Sequence, residues 1–297
     1  MQVLAIFGPT AVGKTGVAVA VAELLRERGE DPMAISCDAI QVYRGLEVLS
    51  GAASERERGR LEHRLLGFVP VTEEFSAGRF AEMAHAEIDT LLEQGRRPIV
   101  VGGTGLYLRA ALADLDLRPP VPEEVRAEVE REIEQRGPEA LHEEIEPDLA
   151  MTIHPHDRKR VARTVELQRA GVEPPRTHQQ GGELWTARLR HPSVLVGLVS
   201  DRDELTSRID ARVEEMVESG ARKEAEAADR AGASRTARAA IGFEELLAGD
   251  VDAMKSAQRA YARRQLTWMR RMEGVEIINR TRRSDEDVAA EIVSRLC

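Results

Sequence analysis

The sequence predicts an α/β fold in which a parallel sheet is flanked by helices and carries a helical insertion. Three observations predict it. The chain opens with VLAIFG, an almost wholly apolar run, followed by a glycine-rich turn and a helix-compatible segment. A run apolar on both faces marks a parallel strand buried between helices. Runs of the same kind recur at MAISC (33–37), RPIVVG (97–102) and SVLVGLVS (193–200). Between the last two lies a stretch of different character, rich in acids at helical spacing and introduced by prolines at 119, 120 and 122. A chain of 297 residues is long enough for one large or two modest domains. The economical division is an α/β core from 1–111 and 193–297, with residues 112–192 as the helical insertion.

The turn after the first strand reads GPTAVGKT (8–15) and fits G-x-x-x-x-G-K-[ST], the P-loop pattern. Its residues are Gly8, Pro9, Thr10, Ala11, Val12, Gly13, Lys14 and Thr15. The two glycines let successive N–H groups turn toward phosphate oxygens. Lys14 can bridge two phosphates, and the Thr15 hydroxyl is the expected ligand of Mg²⁺. TGVAVAVAELLRERG then reads as a helix stopped at Gly29. Strand, loop and helix in this order confirm the motif, so the core is P-loop NTPase-like and the loop binds phosphates.

The second strand candidate runs into Asp38, Ala39, Ile40 and Gln41. Ends of parallel strands share one sheet edge, so Asp38 is expected near the loop. There it could accept a proton from a nucleophile attacking a phosphorylated substrate. A helix N-cap, or a carboxylate bonded to the waters of a metal, accounts for Asp38 equally well. The third run ends in Gly102-Gly103-Thr104, with no acid where most nucleotide hydrolases carry a metal-binding Asp. The glycines suit close backbone approach to a substrate, or an ordinary strand-to-helix turn. Transfer chemistry on a phosphorylated molecule is favoured over nucleotide hydrolysis, and a small-molecule kinase stays open.

In the insertion, EEVRAEVEREIEQRG, PEALHEEIEPDLAMTI and DRKRVARTVELQRAG read as three helices, followed by a loose GVEPPRTHQQGGELW. On the third, Arg160 and Arg163 share a face that could grip phosphates, or form a solvated surface paired with glutamates. In QRAYARRQLTWMRR (258–271), Tyr261 and Trp268 interleave with Arg259, Arg263, Arg264, Arg270 and Arg271. Aromatics can stack on splayed bases while arginines hold phosphates. The same spacing suits a half-buried helix, so the arginines are expected outward and Trp268 largely buried.

The net charge of −10 lowers the expectation of a nucleic-acid partner, yet HDRKRVAR (156–163) and RRQLTWMRR (263–271) are locally basic, and the local field decides binding. Two cysteines, Cys37 and Cys297, make neither a disulfide framework nor a zinc site. The apolar opening is too short for a signal peptide, and no stretch approaches the roughly 18 apolar residues of a membrane span. A reducing cytoplasm, with no membrane partner, is expected.

Seven segments together resemble one family, the tRNA dimethylallyltransferases (tRNA isopentenyltransferases). They are GPTAVGKT (8–15), DAIQVY (38–43), GGTGLY (102–107), HDRKRVARTVEL (156–167), DRDELTSRIDARVEEMVESGARKE (201–224), AAIGFEEL (239–246) and QRAYARRQLTWMRR (258–271). The likeness runs in order over nearly the whole chain. It implies that the loop cradles the diphosphate of dimethylallyl diphosphate, with Mg²⁺ as cofactor. The exocyclic N6 of adenosine 37, beside the anticodon of tRNAs reading UNN codons, would attack the allylic carbon. Lys14 and Thr15 would neutralise the leaving group, Asp38 matches the family's general base, and Thr104 matches a threonine that contacts tRNA near the reacting base. Further tRNA contacts are implied at Ala39, Ile40, Gln41, Arg126, Lys159, Arg160, Val161, Ala162, Arg163, Arg238, Gly242 and Phe243. The insertion would help enclose the anticodon stem-loop, and the family suggests a monomer. Two departures stand out. Ala39 replaces the common serine after the aspartate, and the usual paired histidine is reduced to Glu62-His63-Arg64.

Other readings have their own discriminants. An adenylate isopentenyltransferase shares the loop and the chemistry but needs no tRNA-gripping insertion. A small-molecule kinase would turn over ATP. A non-catalytic RNA-binding switch would hold tRNA and leave the allylic diphosphate unconsumed.

Overall fold

The computed structural model describes residues 1–115, 117–174 and 188–296. The chain divides into two compact units, one built from Met1–Asp114 and Ala187–Cys297, the other from Leu115–Thr186. Arg190 N–H donates to Leu112 O at 2.9 Å, so the outgoing and returning connections belong to the first unit. The helical unit is correspondingly shorter at both ends than the 112–192 read from the sequence.

The strands, in chain order, are β1 (Val3–Phe7), β2 (Pro32–Cys37), β3 (Tyr43–Arg44), β4 (His63–Arg64), β5 (Val69–Pro70), β6 (Arg97–Gly102), β7 (Ser193–Val199) and β8 (Val275–Asn279). Among the described residues, six form one sheet in the order β4-β2-β6-β1-β7-β8, with every pairing parallel. β1, β2 and β6 are buried along their whole length, as a sheet covered on both faces requires. The register sets Phe7 beside Gly102 and Gly102 beside Cys37. Three strands therefore end level, and the residues that follow them, Gly8, Gly103 and Asp38, start from one edge.

Helices α1 (Lys14–Glu27), α2 (Glu47–Ser50), α3 (Glu55–Arg60), α4 (Ala77–Glu93) and α5 (Gly105–Leu112) connect the first strands. α1 buries Val17 through Ala22 and Leu25, which explains its continuous apolar run. Arg28 and Gly29 close it, Gly29 in the left-handed region (φ 81°) expected of a helix stop.

The helical unit holds α6 (Glu123–His142), α7 (Pro147–Ala150) and α8 (Arg158–Arg169). α6 breaks at Gly137 (φ 81°, ψ 160°), immediately before Pro138. This is the boundary read between the first two predicted helices, but the second one ends at His142 and yields to the single turn of α7. Val129, Ile133, Leu141, Ile145, Leu149, Ile153, Val161 and Val165 make its core. The predicted loose region 171–185 lies largely outside the described residues, as does Cys297.

The chain returns to the first unit through β7, then α9 (Arg202–Glu218), α10 (Ala221–Arg230), α11 (Arg235–Arg238), α12 (Phe243–Leu247), α13 (Val251–Met269) and α14 (Asp285–Ser294). β8 and α14 had no counterpart in the sequence reading. α14 packs along α1 through Val288, Ala289, Ile292 and Val293, which belong to the same core cluster.

Candidate active site

The level strand ends place three short segments around one point. Residues 8–13 turn tightly after β1, with Gly13 in the left-handed region (φ 87°) as the residue before α1. Lys14 Nζ folds back over this loop and donates to the carbonyls of Gly8 (3.2 Å) and Pro9 (3.0 Å). A Cβ on Gly103 would come within 3.3 Å of Lys14 Nζ and 3.2 Å of Gly8 O, so the two glycine turns pack against each other. A larger residue at 102 would strike Cys37 O at 1.9 Å. Glycine in the GGTG segment is thus demanded by strand proximity.

Asp38 is half-buried beyond β2. Its Oδ1 accepts from Ile40 N–H at 2.9 Å and more weakly from Gln41 N–H at 3.4 Å, so it folds its own turn. Its Oδ2 accepts from Thr104 Oγ1 at 3.2 Å. Thr104 Oγ1 also lies 3.3 Å from the Tyr261 hydroxyl, and Ala39 N–H donates to it at 3.4 Å. Asp38, Thr104 and Tyr261 form one chain of hydrogen bonds across β2, the β6 turn and α13. Burial and the Asp38 charge push the Tyr261 phenol up to about 12, so it stays a hydroxyl at neutral pH.

Gln265, one helical turn beyond Tyr261, ties the site together. Its Oε1 accepts from Thr10 N–H at 2.8 Å and its Nε2 donates to Gly103 O at 2.8 Å. Arg212 of α9 donates to Gly51 O at 2.8 Å and is held below its ordinary range by burial, an effect that Asp38 opposes. Burial, and then the nearby Arg212, bring Lys14 down to about 8, with Asp38 pulling the other way. Two cations and one carboxylate thus share a poorly solvated neighbourhood. Such an arrangement is costly by itself and favours an incoming anion.

Beside this polar cluster opens a pocket of about 150 Å³ lined by Phe7, Gly8, Gly103, Thr104, Gly105, Leu106, Leu108, Tyr261, Arg264, Gln265 and Trp268. A cavity of about this size accepts a small hydrocarbon such as benzene. Trp268 lies flat on Gly105, where a Cβ would come within 2.2 Å of the ring. The sequence reading expected Trp268 to be largely buried. It is half-buried, because one face covers Gly105 and the residue walls the pocket. Arg264 stacks on the Tyr261 ring at 5.5 Å, while Arg263, Arg264, Arg270 and Arg271 are exposed as expected.

Among the described residues no group of three or more His, Cys, Asp or Glu could cage a metal. The donors present are the Thr15 hydroxyl and Asp38. They suit Mg²⁺, which takes one or two protein oxygens and completes its sphere with phosphate and water.

The remaining predicted contacts are scattered. Gln41 is a strut inside the core unit: its Oε1 accepts from Ser36 Oγ at 2.9 Å and its Nε2 donates to Gly51 O at 3.2 Å, which occupies its amide with protein groups. Phe243 has no exposed surface, and its side chain packs in the core. Arg238 stacks over that ring at 5.0 Å and is paired with Asp229 and Glu244. Gly242 is the left-handed residue before α12 (φ 102°). In the helical unit, the Val161 and Ala162 side chains are buried in its core. Arg163 donates to Pro119 O (2.7 Å) and Arg118 O (3.3 Å) and pairs with Glu166. Arg160 pairs with Asp157, the N-cap of α8, and Arg126 with Glu123, while Lys159 is exposed. The altered histidine, His63, on the edge strand β4, donates from Nδ1 to Leu61 O (2.7 Å), and burial holds it below its ordinary value.

The family model for IPP transferase matches residues 41–272, well over half of the chain. The chain belongs to the IPP transferase family. It is 36% identical to a tRNA dimethylallyltransferase of Acetivibrio thermocellus over 94% of this chain and 92% of that protein. It is also 36% identical to the tRNA dimethylallyltransferase of Geobacillus kaustophilus, over 99% and 95%. Among solved structures, the full-length tRNA isopentenylpyrophosphate transferase of Bacillus halodurans aligns with a TM-score of 0.71 at 32% identity, covering 99% of this chain and 95% of that one. A eukaryotic dimethylallyltransferase described as acting on tRNA aligns with a TM-score of 0.76 at 25% identity, covering 99% and 77%. An α/β P-loop-like core is common to these IPP transferases.

Within this IPP transferase, sequence reasoning missed Gln265 and Arg212 as site residues. Both sit inside segments that carried the family likeness. Nothing in their spacing separates an amide or guanidinium that faces a site from one that faces water, so no local signal could have found them.

Proposed function

We propose that the chain transfers the dimethylallyl group of dimethylallyl diphosphate to N6 of adenosine 37, next to the anticodon, in tRNAs that read UNN codons. The allylic C–O bond breaks, a C–N bond forms, N6 loses a proton, and diphosphate leaves. The observation that carries this reading is the pairing of two unlike sites at the strand ends. A phosphate-binding loop with converging Lys14 and Arg212 adjoins an apolar pocket walled by Phe7, Leu106, Leu108 and Trp268. A phosphate-activated hydrocarbon needs both halves, whereas a nucleotide hydrolase needs only the first.

The residues divide the work. Loop amides, Lys14 and Arg212 hold the diphosphate and offset the charge it gains as it leaves, the kind of preorganised electrostatic help that dominates such reactions. Asp38 Oδ2 takes the N6 proton, and Thr104 orients that oxygen through its 3.2 Å hydrogen bond. The Tyr261 hydroxyl fixes Thr104 in turn. Mg²⁺, held by Thr15 and the diphosphate itself, would supply further charge neutralisation on the leaving group. An adenine must leave its stack to reach Asp38, so the target has to be extruded. Exposed arginines of α13 beside the pocket are suited to the phosphates of an RNA loop. The protein acts as a monomer in the cytoplasm. No helix among the described residues is long and apolar enough to cross a membrane.

The test is an incubation with labelled dimethylallyl diphosphate and Mg²⁺, in parallel with an unmodified UNN-reading tRNA, with AMP, or with neither. Label mapped to the adenosine 3′ of the anticodon is the expected result. Label in AMP alone would make the acceptor a free nucleotide. Transfer to neither, with ATP consumed instead, would overturn the assignment.

A further inference from the structure

The outer side of the P-loop is gripped by an arginine from the far end of the chain. Arg280 directly follows the edge strand β8, and its N–H extends the sheet to Val199 O at 2.9 Å. Its side chain then turns inward and is almost completely buried, with 4% of the residue exposed. Nη1 donates to Val12 O at 2.7 Å and pairs with Asp285 Oδ1 at 3.0 Å. Asp285 is the first residue of α14, whose start is fixed by the Ser284 cap.

The loop is shaped to receive this pair. A Cβ on Gly13 would lie 1.9 Å from Arg280 Nη1, and a Cβ on Gly16 would lie 2.0 Å from Asp285 Oδ2. The guanidinium and the carboxylate therefore fill the space that side chains at 13 and 16 would otherwise need. A buried guanidinium is expensive unless paired and hydrogen-bonded, so its placement against one particular carbonyl calls for a return.

Peptide planarity supplies that return. In a trans peptide the C=O of Val12 and the N–H of Gly13 point in opposite directions. Fixing Val12 O on Arg280 directs the Gly13 N–H the opposite way, to the side of the loop away from Arg280. A charge-assisted hydrogen bond at the carbonyl also polarises the peptide and strengthens its N–H as a donor. We propose that Arg280, steadied by Asp285, is a positioning residue for diphosphate binding, holding the Val12–Gly13 peptide so that the Gly13 N–H is aimed into the phosphate cradle. This rests on the reading that the loop holds the diphosphate of the allylic substrate. Arg280 touches no substrate atom itself.

The experiment measures binding of inorganic diphosphate, with Mg²⁺, to the full chain and to Arg280→Met, Arg280→Lys and Asp285→Asn, by calorimetry. The Gly13 amide is followed in parallel by NMR. Expected is a loss of about tenfold in affinity for Arg280→Met, partial recovery in Arg280→Lys, and about threefold loss in Asp285→Asn, as for removal or weakening of one charge-assisted bond. The Gly13 amide proton should shift less on diphosphate addition in Arg280→Met, while the Kd for tRNA stays within about twofold. Diphosphate affinity and Gly13 shift equal to the parent in a folded Arg280→Met protein would overturn the proposal. If Arg280→Met does not fold, Asp285→Asn decides, and unchanged affinity there overturns it as well. A parent chain that binds no diphosphate at all would refute the loop reading itself, and Arg280's role with it.

Discussion

Arginine does opposite work in the two units of this chain. Around the P-loop, Arg212 and Arg280 are withdrawn from water, bonded to the backbone carbonyls of Gly51 and Val12, and pushed below their ordinary range by burial. In the helical unit, Arg169 is shared between Glu132 (2.6 and 2.9 Å) and Glu144 (2.8 Å), and Arg136 bridges the same two carboxylates. There the ion pairs hold the Arg169 guanidinium above its usual range and the Glu132 carboxyl down at about 2. At the loop, Lys14 and Arg212 lie beside the Asp38 carboxylate and Arg280 is paired with Asp285, whereas on the helices each of these arginines is shared between two carboxylates. Desolvated charges dominate a site, whereas exposed pairs contribute little to stability. In the basic segment 156–163, Arg158 pairs with Glu130, Arg160 with Asp157 and Arg163 with Glu166.

The largest effect should come from the carboxylate at the loop. Asp38→Asn keeps an oxygen to accept from Ile40 and Gln41, so the turn survives while the base is lost. Turnover should fall by about 10²- to 10⁴-fold with tRNA affinity within a few-fold, read from single-turnover rates and a binding titration. Near-normal turnover would remove Asp38 from the role of base and return it to a turn cap.

A smaller effect tests the cations at the loop. Lys14 is depressed from 10.5 to about 8, chiefly by burial. A bound diphosphate raises it again, so binding takes up a proton once the pH passes about 8. Affinity should be flat below neutrality and fall above pH 8 by up to about tenfold per unit. Lys14→Arg, charged throughout, should lose that alkaline limb. For folding the sign is the reverse of the usual lysine: the burial cost is present below about 8 and is relieved as pH rises toward 10.5. An alkaline limb that persists in Lys14→Arg would place the titration elsewhere.

The smallest effect belongs to the helical unit. The depressed Glu132 carboxyl contributes stability that is present above its ordinary 4.5 and lost as pH falls through about 2. Glu132→Gln should change the melting temperature at pH 7 by no more than about 2 °C. It should flatten the acid side of the stability curve and leave turnover unchanged. A large loss of turnover would mean that this network serves the reaction, and the contrast between the two units would fail.

Much of the core was legible because its signals are local. The apolar runs at 3–7, 33–37, 97–102 and 193–199 became parallel strands, since a strand buried on both faces can be little else. GPTAVGKT and GGTG were readable because glycine is needed where backbones nearly touch. The helix break at Gly137-Pro138 was visible for another reason: glycine tolerates the φ of 81° found there, and proline lacks the N–H that would continue the helix. The inward direction of the Gln41, Phe243, Val161 and Ala162 side chains was not legible, because a motif conveys position in a segment and not the direction of a side chain. Gln41 sits in the DAIQ segment, yet its amide is spent on Ser36 and Gly51.

By itself the sequence determined the strand–loop–helix opening, the P-loop pattern, the absence of an acid after the third core strand, and the family. These follow from residue type and spacing over a few positions, where sterics and hydrogen-bonding capacity leave few choices. Only the tertiary structure decided which side chains close the site. Gln265 meets Thr10 across 255 positions, and Arg280 meets Val12 across 268. Such meetings depend on sheet register and helix packing summed over the whole chain, and no window of sequence contains them.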